Sequence, residues 1–306
     1  MDAVKRHLGL TLALAAAMTS GFAVFINGVA VKEFDDATVY TTAKNLVAGV
    51  VLAMIYVIGG RRTTRREAPR PDRRTLAALV AISVIGGAVP FVLFFEGLSR
   101  ASSTNAAFIH KTLVIWVAIG AAAFLRERVT MLHAAAIGLL VLGQLALASG
   151  VGAADFGTAE VLVLLATLLW ACEVMIVKRV LGAVPSETAA LARMAGGGVL
   201  LLAWVASTGR LDELASLSAA QLVWLSITGT TLATFVSVWY RALAHAPAVD
   251  VSAVLVLGAV VTAALDRSVR DVPFASGWYG YVLITIGVII VAAHISIRSA
   301  GAFNRP

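Results

Sequence analysis

The sequence predicts an all-α polytopic membrane protein with ten transmembrane helices in two inverted-topology five-helix repeats. Three observations point there: ten apolar stretches of spanning length, a bias of basic residues toward alternate gaps, and a likeness of the second half of the chain to the first. Crossing ~30 Å of hydrocarbon takes about 20 apolar residues in a helix. Lipid offers backbone amides no partner, so such stretches must be helical. The chain is 60% hydrophobic and only 13% charged, too little charge to cover a water-soluble surface.

The stretches run near 8–31, 38–59, 76–99, 104–125, 131–150, 158–181, 188–208, 221–244, 250–268 and 277–297. The first follows Lys5 and Arg6 as a secretion signal would. It is longer than a signal core and lacks a clear small-x-small cleavage site, so it is read as a spanning helix that also directs insertion. The second carries Lys44 near its start, and the third holds Gly86-Gly87 and Pro90. The fourth contains His110 and Lys111, and the sixth contains Trp170, Cys172 and Glu173. Arg193 and Gly196-Gly197-Gly198 lie in the seventh, and the tenth carries Gly280 and Gly287. With one cysteine, neither an intramolecular disulfide nor a Cys-based zinc motif is available.

The net charge of +7 sits in the gaps between apolar runs, which argues against nucleic acid as a partner. One set of alternate gaps, with the Arg-rich 61–74 segment, holds sixteen Lys and Arg residues, and the other set holds five. Basic residues favour the cytoplasmic side of short loops. Both termini are therefore expected in the cytoplasm, with the protein multi-pass in the inner (plasma) membrane.

Phe94-Phe95-Glu96-Gly97-Leu98-Ser99-Arg100-Ala101 matches Trp239-Tyr240-Arg241-Ala242-Leu243-Ala244-His245-Ala246 at an offset of 145. Lys44 and Arg193 stand at similar places in helices two and seven, and Arg126-Glu127 parallels Arg270-Asp271. Five helices per half is an odd number, so the second repeat enters the membrane inverted. The expected division is 1–150 and 151–306. Inverted repeats of this kind occur in secondary transporters, with the site near the midplane between the halves.

The pattern resembles the drug/metabolite transporter superfamily, EamA type. Phe124-Leu125-Arg126-Glu127-Arg128-Val129-Thr130 resembles its Leu-Gly-Glu-Arg-Leu-Thr phrase. Asp271 with Gly280 and Gly287 resembles the Glu…Gly…Gly spacing that opens the tenth helix, with Asp271 in place of the Glu, and Leu169-Trp170-Ala171 resembles the start of the sixth. The chain departs from the pattern at Met18-Thr19, where a Trp-Gly pair would stand, and lacks the prolines of helices four and nine. The resemblance covers essentially the whole chain. It implies a metabolite carrier that works by alternating access and leans toward export.

A charge in a spanning helix costs at least ~2.5–3.5 kcal/mol, so it faces a cavity or a partner. Lys111 is a candidate to bind a substrate carboxylate, or to form an ion pair with Glu96 or Glu173. Glu173 is a candidate for a substrate amine or a coupling proton, with a structural pair to Lys111, Lys44 or Arg193 as its alternative. His110 points about 100° away from Lys111 and, with an unperturbed pKa near 6.5, suits proton coupling. Asn27 belongs to a small polar stripe on helix one. Phe91, Phe95, Trp116 and Trp170 are candidate apolar walls, whereas Trp239 and Tyr240 could be lining or interfacial-belt residues. Lys44 and Arg193 read as anchors, pairing groups or gates.

The expected function is a secondary active transporter of small amphipathic metabolites, amino acids or organic acids, and not an enzyme. No cofactor or metal is expected. The expected partners are a small-molecule substrate, protons as a candidate coupling ion, and membrane lipids. The fold requires no oligomer. No Walker loop, HExxH motif or multi-His cluster is present. The alternatives are a membrane-embedded enzyme acting on lipid or isoprenoid and a translocase of lipid-linked substrates.

Overall fold

The computed structural model describes residues 2–62, 71–100, 109–147, 157–270 and 278–303. No strand occurs among them. Seven of their helices are long and apolar enough to span a membrane, and Ile109–Leu125, Met131–Ala146 and Tyr279–His294 are shorter apolar helices. Together these correspond to the ten stretches, and the chain is an all-α polytopic membrane protein.

The helices are α1 (Asp2–Ala30), α2 (Ala37–Arg62), α3 (Arg73–Ile85), α4 (Val89–Arg100), α5 (Ile109–Leu125), α6 (Met131–Leu147) and α7 (Thr158–Val180). They are followed by α8 (Ser186–Ser207), the short α9 (Leu211–Ala215), α10 (Ala219–His245), α11 (Ala248–Leu255), α12 (Gly258–Arg270) and α13 (Tyr279–Phe303). Their starts are set by local chemistry. The Asp36 carboxylate accepts the N–H groups of Thr38 and Val39 at 2.7 and 2.9 Å, and Ser218 and Gln221 form a reciprocal capping box on α10. Each cap satisfies a donor that the helix itself leaves unpaired. Asp72 caps α3 at 2.9 Å. Bonds from the Thr75 side chain and N–H hold its carboxyl below the usual carboxylate range.

Two spans are broken by their sequence. Between α3 and α4, Gly86-Gly87-Ala88 form a turn, and Pro90 has no N–H to return to the Gly86 carbonyl four residues back. The ninth span breaks between α11 and α12 at Val256-Leu257. Inside α8, residues Ala192–Gly196 form a π-turn. The Ser83 hydroxyl of α3 donates to the Ala192 carbonyl at 2.7 Å, an insertion of the kind that opens a helical ladder.

The packing has a pseudo-two-fold pattern. The first helix of each half packs on the eighth or third span, α1 on α10 and α7 on α3 and α4. α2 packs on α8 and α6 on α13, and each of these pairs meets through reciprocal glycine contacts. A Cβ at Gly49 would lie 3.1 Å from the Cα of Ala195, and one at Gly198 would lie 3.2 Å from the Leu46 side chain. A Cβ at Gly143 would lie 2.7 Å from the Gly280 carbonyl oxygen, and one at Gly287 3.0 Å from that of Ala136. The core runs along these seams, from Ala16 and Ala48 through Val177 and Met194 to Val251 and Ile284.

Candidate functional site

The break between α3 and α4 organises the centre. The Gly86 carbonyl, freed by Pro90, accepts the Trp170 indole N–H at 3.1 Å and the Arg193 Nε–H at 3.3 Å. Arg193 also stands 3.2 Å from Glu173 Oε1, both side chains being at least nine-tenths buried. The Tyr240 hydroxyl donates to the same Glu173 oxygen. Four spans thus converge on one buried ion pair. A Cβ at Gly86 would fall 2.5 Å from the Glu173 Cδ and push that carboxylate away from Arg193.

A wall of rings extends from Trp170. Phe91, Phe94 and His110 lie 5.5, 5.6 and 5.0 Å from it between centroids, and Phe95 lies 5.5 Å from Phe94. His110 Nδ1 is buried without a hydrogen-bond partner among the described residues. The Lys44 ammonium stands 5.7 Å from the Phe95 ring and 4.8 Å from that of Tyr40. It donates to Asn27 Oδ1 at 3.0 Å, and the Tyr40 hydroxyl donates to the same oxygen at 2.5 Å.

Of the residues singled out in the sequence, the structure gathers Asn27, Phe91, Phe95, His110, Trp170 and Glu173 into this contiguous run. Lys111 and Trp116 lie elsewhere. Lys111 lines a cavity of about 10 Å³ with Gln144 and Val256, room for about one water. Trp116 donates its indole N–H to Thr112 at 3.1 Å. No ion pair to Lys111 is found among the described residues, since Glu96 binds Arg100 at 2.7 Å and Glu173 binds Arg193. Tyr240 and Trp239 are fully buried, not interfacial. Sequence reasoning missed Tyr40, weighed Tyr240 as either a lining or a belt residue, and read Lys44, like Arg193 in the other repeat, as an anchor, pairing group or gate. Asp271 lies outside the described residues.

A second polar network closes the end of the bundle that carries the N-terminus. The π-turn Ala121–Leu125 ends α5, and Arg126 adopts the left-handed conformation at φ 55°. That turn presents Glu127 to the start of α11, where it accepts the N–H groups of Ala248 and Val249 at 2.9 and 3.2 Å. Lys178 donates to the Leu243 and Ala246 carbonyls at the end of α10, both at 2.5 Å. Each charge therefore matches the sign of the helix end it binds. His133 bonds Asp250 at 2.8 Å in the same layer. At the opposite end, Arg210 binds Asp36 at 2.7 Å and Gln221 binds the Glu33 carbonyl at 2.7 Å. Glu127→Ala leaves two N–H groups without their acceptor. The expected loss is about 1–2 kcal/mol, read as a lower thermal unfolding temperature of the purified protein, with Glu127→Gln falling between it and wild type.

A groove of about 820 Å³ runs along the outside between α1, α10 and α12, past Met18, Phe22 and Leu265. Its hydroxyls are turned back onto their own helices, as in Thr231 to the Ile227 carbonyl and Thr234 to the Thr230 carbonyl. What remains is an apolar surface suited to lipid chains. Among the described residues no His, Cys, Asp and Glu cluster could hold a metal ion.

Comparison with known proteins agrees with the architecture. No curated protein gives a significant match. A solved structure titled only "Crystal structure of protein" superposes with a TM-score of 0.71, covering 95% of this chain and 99% of that one at 15% identity; the likeness is one of fold. The EamA-like transporter family model matches residues 7–149 and again residues 157–293. The chain belongs to the EamA-like transporter family and is a membrane transporter of the drug/metabolite type.

Proposed function

We propose that this protein is a secondary active carrier of small amphipathic metabolites, amino acids or organic acids, that exports them by alternating access. The observation that carries this reading is the broken third span, with the Glu173–Arg193 pair held against its freed carbonyl. Broken helices at the interface between inverted repeats are how secondary transporters build a midplane binding site that two opposed openings can reach. The aromatic run from Phe95 to Trp170 supplies apolar walls for the substrate, and the unpartnered His110 Nδ1 supplies a polar contact.

Glu173 and His110 serve as the coupling groups in this reading. Protonation of Glu173 would release Arg193 and loosen the seam among α4, α7, α8 and α10. Lys111, half-buried beside Gln144 and apart from the aromatic run, contributes a second positive charge for an anionic substrate. The network of Glu127, Lys178 and Asp250 is the cytoplasmic closure, and the Asp36–Arg210 pair belongs to the outer one. Both termini then lie in the cytoplasm, in agreement with the basic-residue bias.

The test is counterflow uptake in proteoliposomes of labelled amino acids, organic acids, nucleosides and sugars, with and without an imposed pH gradient, in wild type and Lys111→Ala. Saturable uptake of one class is expected, reduced in the variant and steeper under the gradient. Folded protein that moves none of the panel would contradict the reading. Full transport by Lys111→Ala would remove that lysine from the site.

A further inference from the structure

The two repeats build similar devices around a buried cation, the tyrosine coming from the cation's own helix in the first repeat and from α10 in the second. Lys44 on α2 and Arg193 on α8 are separated by 149 positions, as are Gly49 and Gly198, the glycines of the reciprocal seam between those helices. Arg193 faces an oxygen of Glu173, from the first helix of its own repeat, and that oxygen also takes the Tyr240 hydroxyl. Lys44 faces an oxygen of Asn27, again from the first helix of its repeat, and that oxygen also takes the Tyr40 hydroxyl. The second repeat therefore neutralises its cation with a carboxylate, while the first offers only an amide. Lys44 is 6% exposed, and no ion pair to it is found among the described residues. Thr41, one turn away on the same face of α2, is 1% exposed, and its hydroxyl finds no hydrogen-bond partner among the described residues. A buried ammonium without a countercharge is costly, and so is an unbonded hydroxyl beside it.

We infer that Lys44, with Asn27, Tyr40 and Thr41, forms the subsite for a substrate carboxylate, which supplies the charge that Glu173 supplies in the other repeat. The Phe95 ring, 5.7 Å from the ammonium, begins the aromatic run along which the apolar part of the substrate lies. Access comes when the Asp36–Arg210 end opens. This subsite rests on the carrier reading above and locates where the carboxylate of those substrates binds.

The test is thermal unfolding of the purified protein in detergent with phenylacetate, its neutral isostere phenylacetamide, and inorganic phosphate. Phenylacetate is expected to raise the unfolding temperature in a saturable way, and the amide and phosphate are not. Asn27→Asp places the missing carboxylate inside the protein. This variant is expected to unfold at or above the wild-type temperature while losing phenylacetate affinity by about ten-fold or more, the consequence of one charged hydrogen bond. Equal responses to acid and amide, a response to phosphate alone, or an undiminished response in Asn27→Asp would overturn the assignment. Should that variant fail to fold, Lys44→Gln must lose the phenylacetate response, and retention would overturn the proposal equally. Saturable transport of a neutral or cationic compound with no carboxylate response would sink the subsite and leave the carrier standing. A carboxylate response that disappears in Asn27→Asp, in protein that moves nothing, would keep the subsite and remove the carrier.

Discussion

Glu173→Ala is expected to destabilise the protein by about 3–5 kcal/mol, the loss that follows when one partner of a buried ion pair is removed. Arg193 is left buried at 7% exposure with the Gly86 carbonyl as its remaining bonded acceptor, and the Tyr240 hydroxyl loses the oxygen it donates to. Glu173→Gln should cost less, because an amide oxygen can still accept from both groups, much as Asn27 does for Lys44 and Tyr40. The order wild type, Gln, Ala in thermal unfolding is the readout. An alanine variant as stable as wild type would mean that the pair is not what holds α7 to α8.

Gly87→Ala should be nearly as damaging, by about 3 kcal/mol, the upper part of the range for overpacking. A Cβ at that position would fall 2.1 Å from the Arg193 carbonyl oxygen and 2.9 Å from the Gly197 Cα. Both obstacles are backbone, so no side chain can swing aside. The turn between α3 and α4 would have to separate from the π-turn of α8, taking Arg193 with it. Alanine at Gly138, where a Cβ would meet nothing within 4 Å, is the matching control and should leave the unfolding temperature unchanged or raise it slightly, since alanine is the better helix former.

The fold was largely legible in the residues. Helix length follows from the thickness of hydrocarbon, and the odd number of helices per repeat forces inversion, so composition and spacing were enough. Gly86-Gly87 and Pro90 marked the third span as a place to bend. The site was only partly legible, because a one-dimensional pattern carries no register between helices. Lys111 and Glu173 looked like natural partners, yet Lys111 faces Gln144 on α6 and Val256 beyond α11, while Glu173 binds across to α8 and α10. Nothing in the sequence shows that Pro90 releases a carbonyl for Arg193 and Trp170. Asn27, Tyr40 and Lys44 come together across a turn between two helices, and only the side-chain geometry reveals that one amide oxygen serves both of the other side chains. Tyr240 read as either a lining or a belt residue, because it lies near the end of its helix. Its ring points inward from the buried face of α10, which packs against α1, α2 and α7.

The central claim is that two closures, one at each end of the bundle, open in turn around a shared site. Near-isosteric cysteine reporters can test it in a Cys172→Ala background, since Cys172 is the only native thiol. Ser252→Cys lies beneath the network of Glu127, Lys178 and Asp250, and Thr42→Cys lies beneath the Asp36–Arg210 end; both positions are at most 3% exposed. Labelling by a membrane-impermeant maleimide, applied to proteoliposomes from each face, is measured with and without a saturating transported compound. The account predicts that the compound moves the two labelling rates in opposite directions, each reporter being reached from one face only. Rates that rise or fall together, or reporters reached from both faces at once, would contradict it.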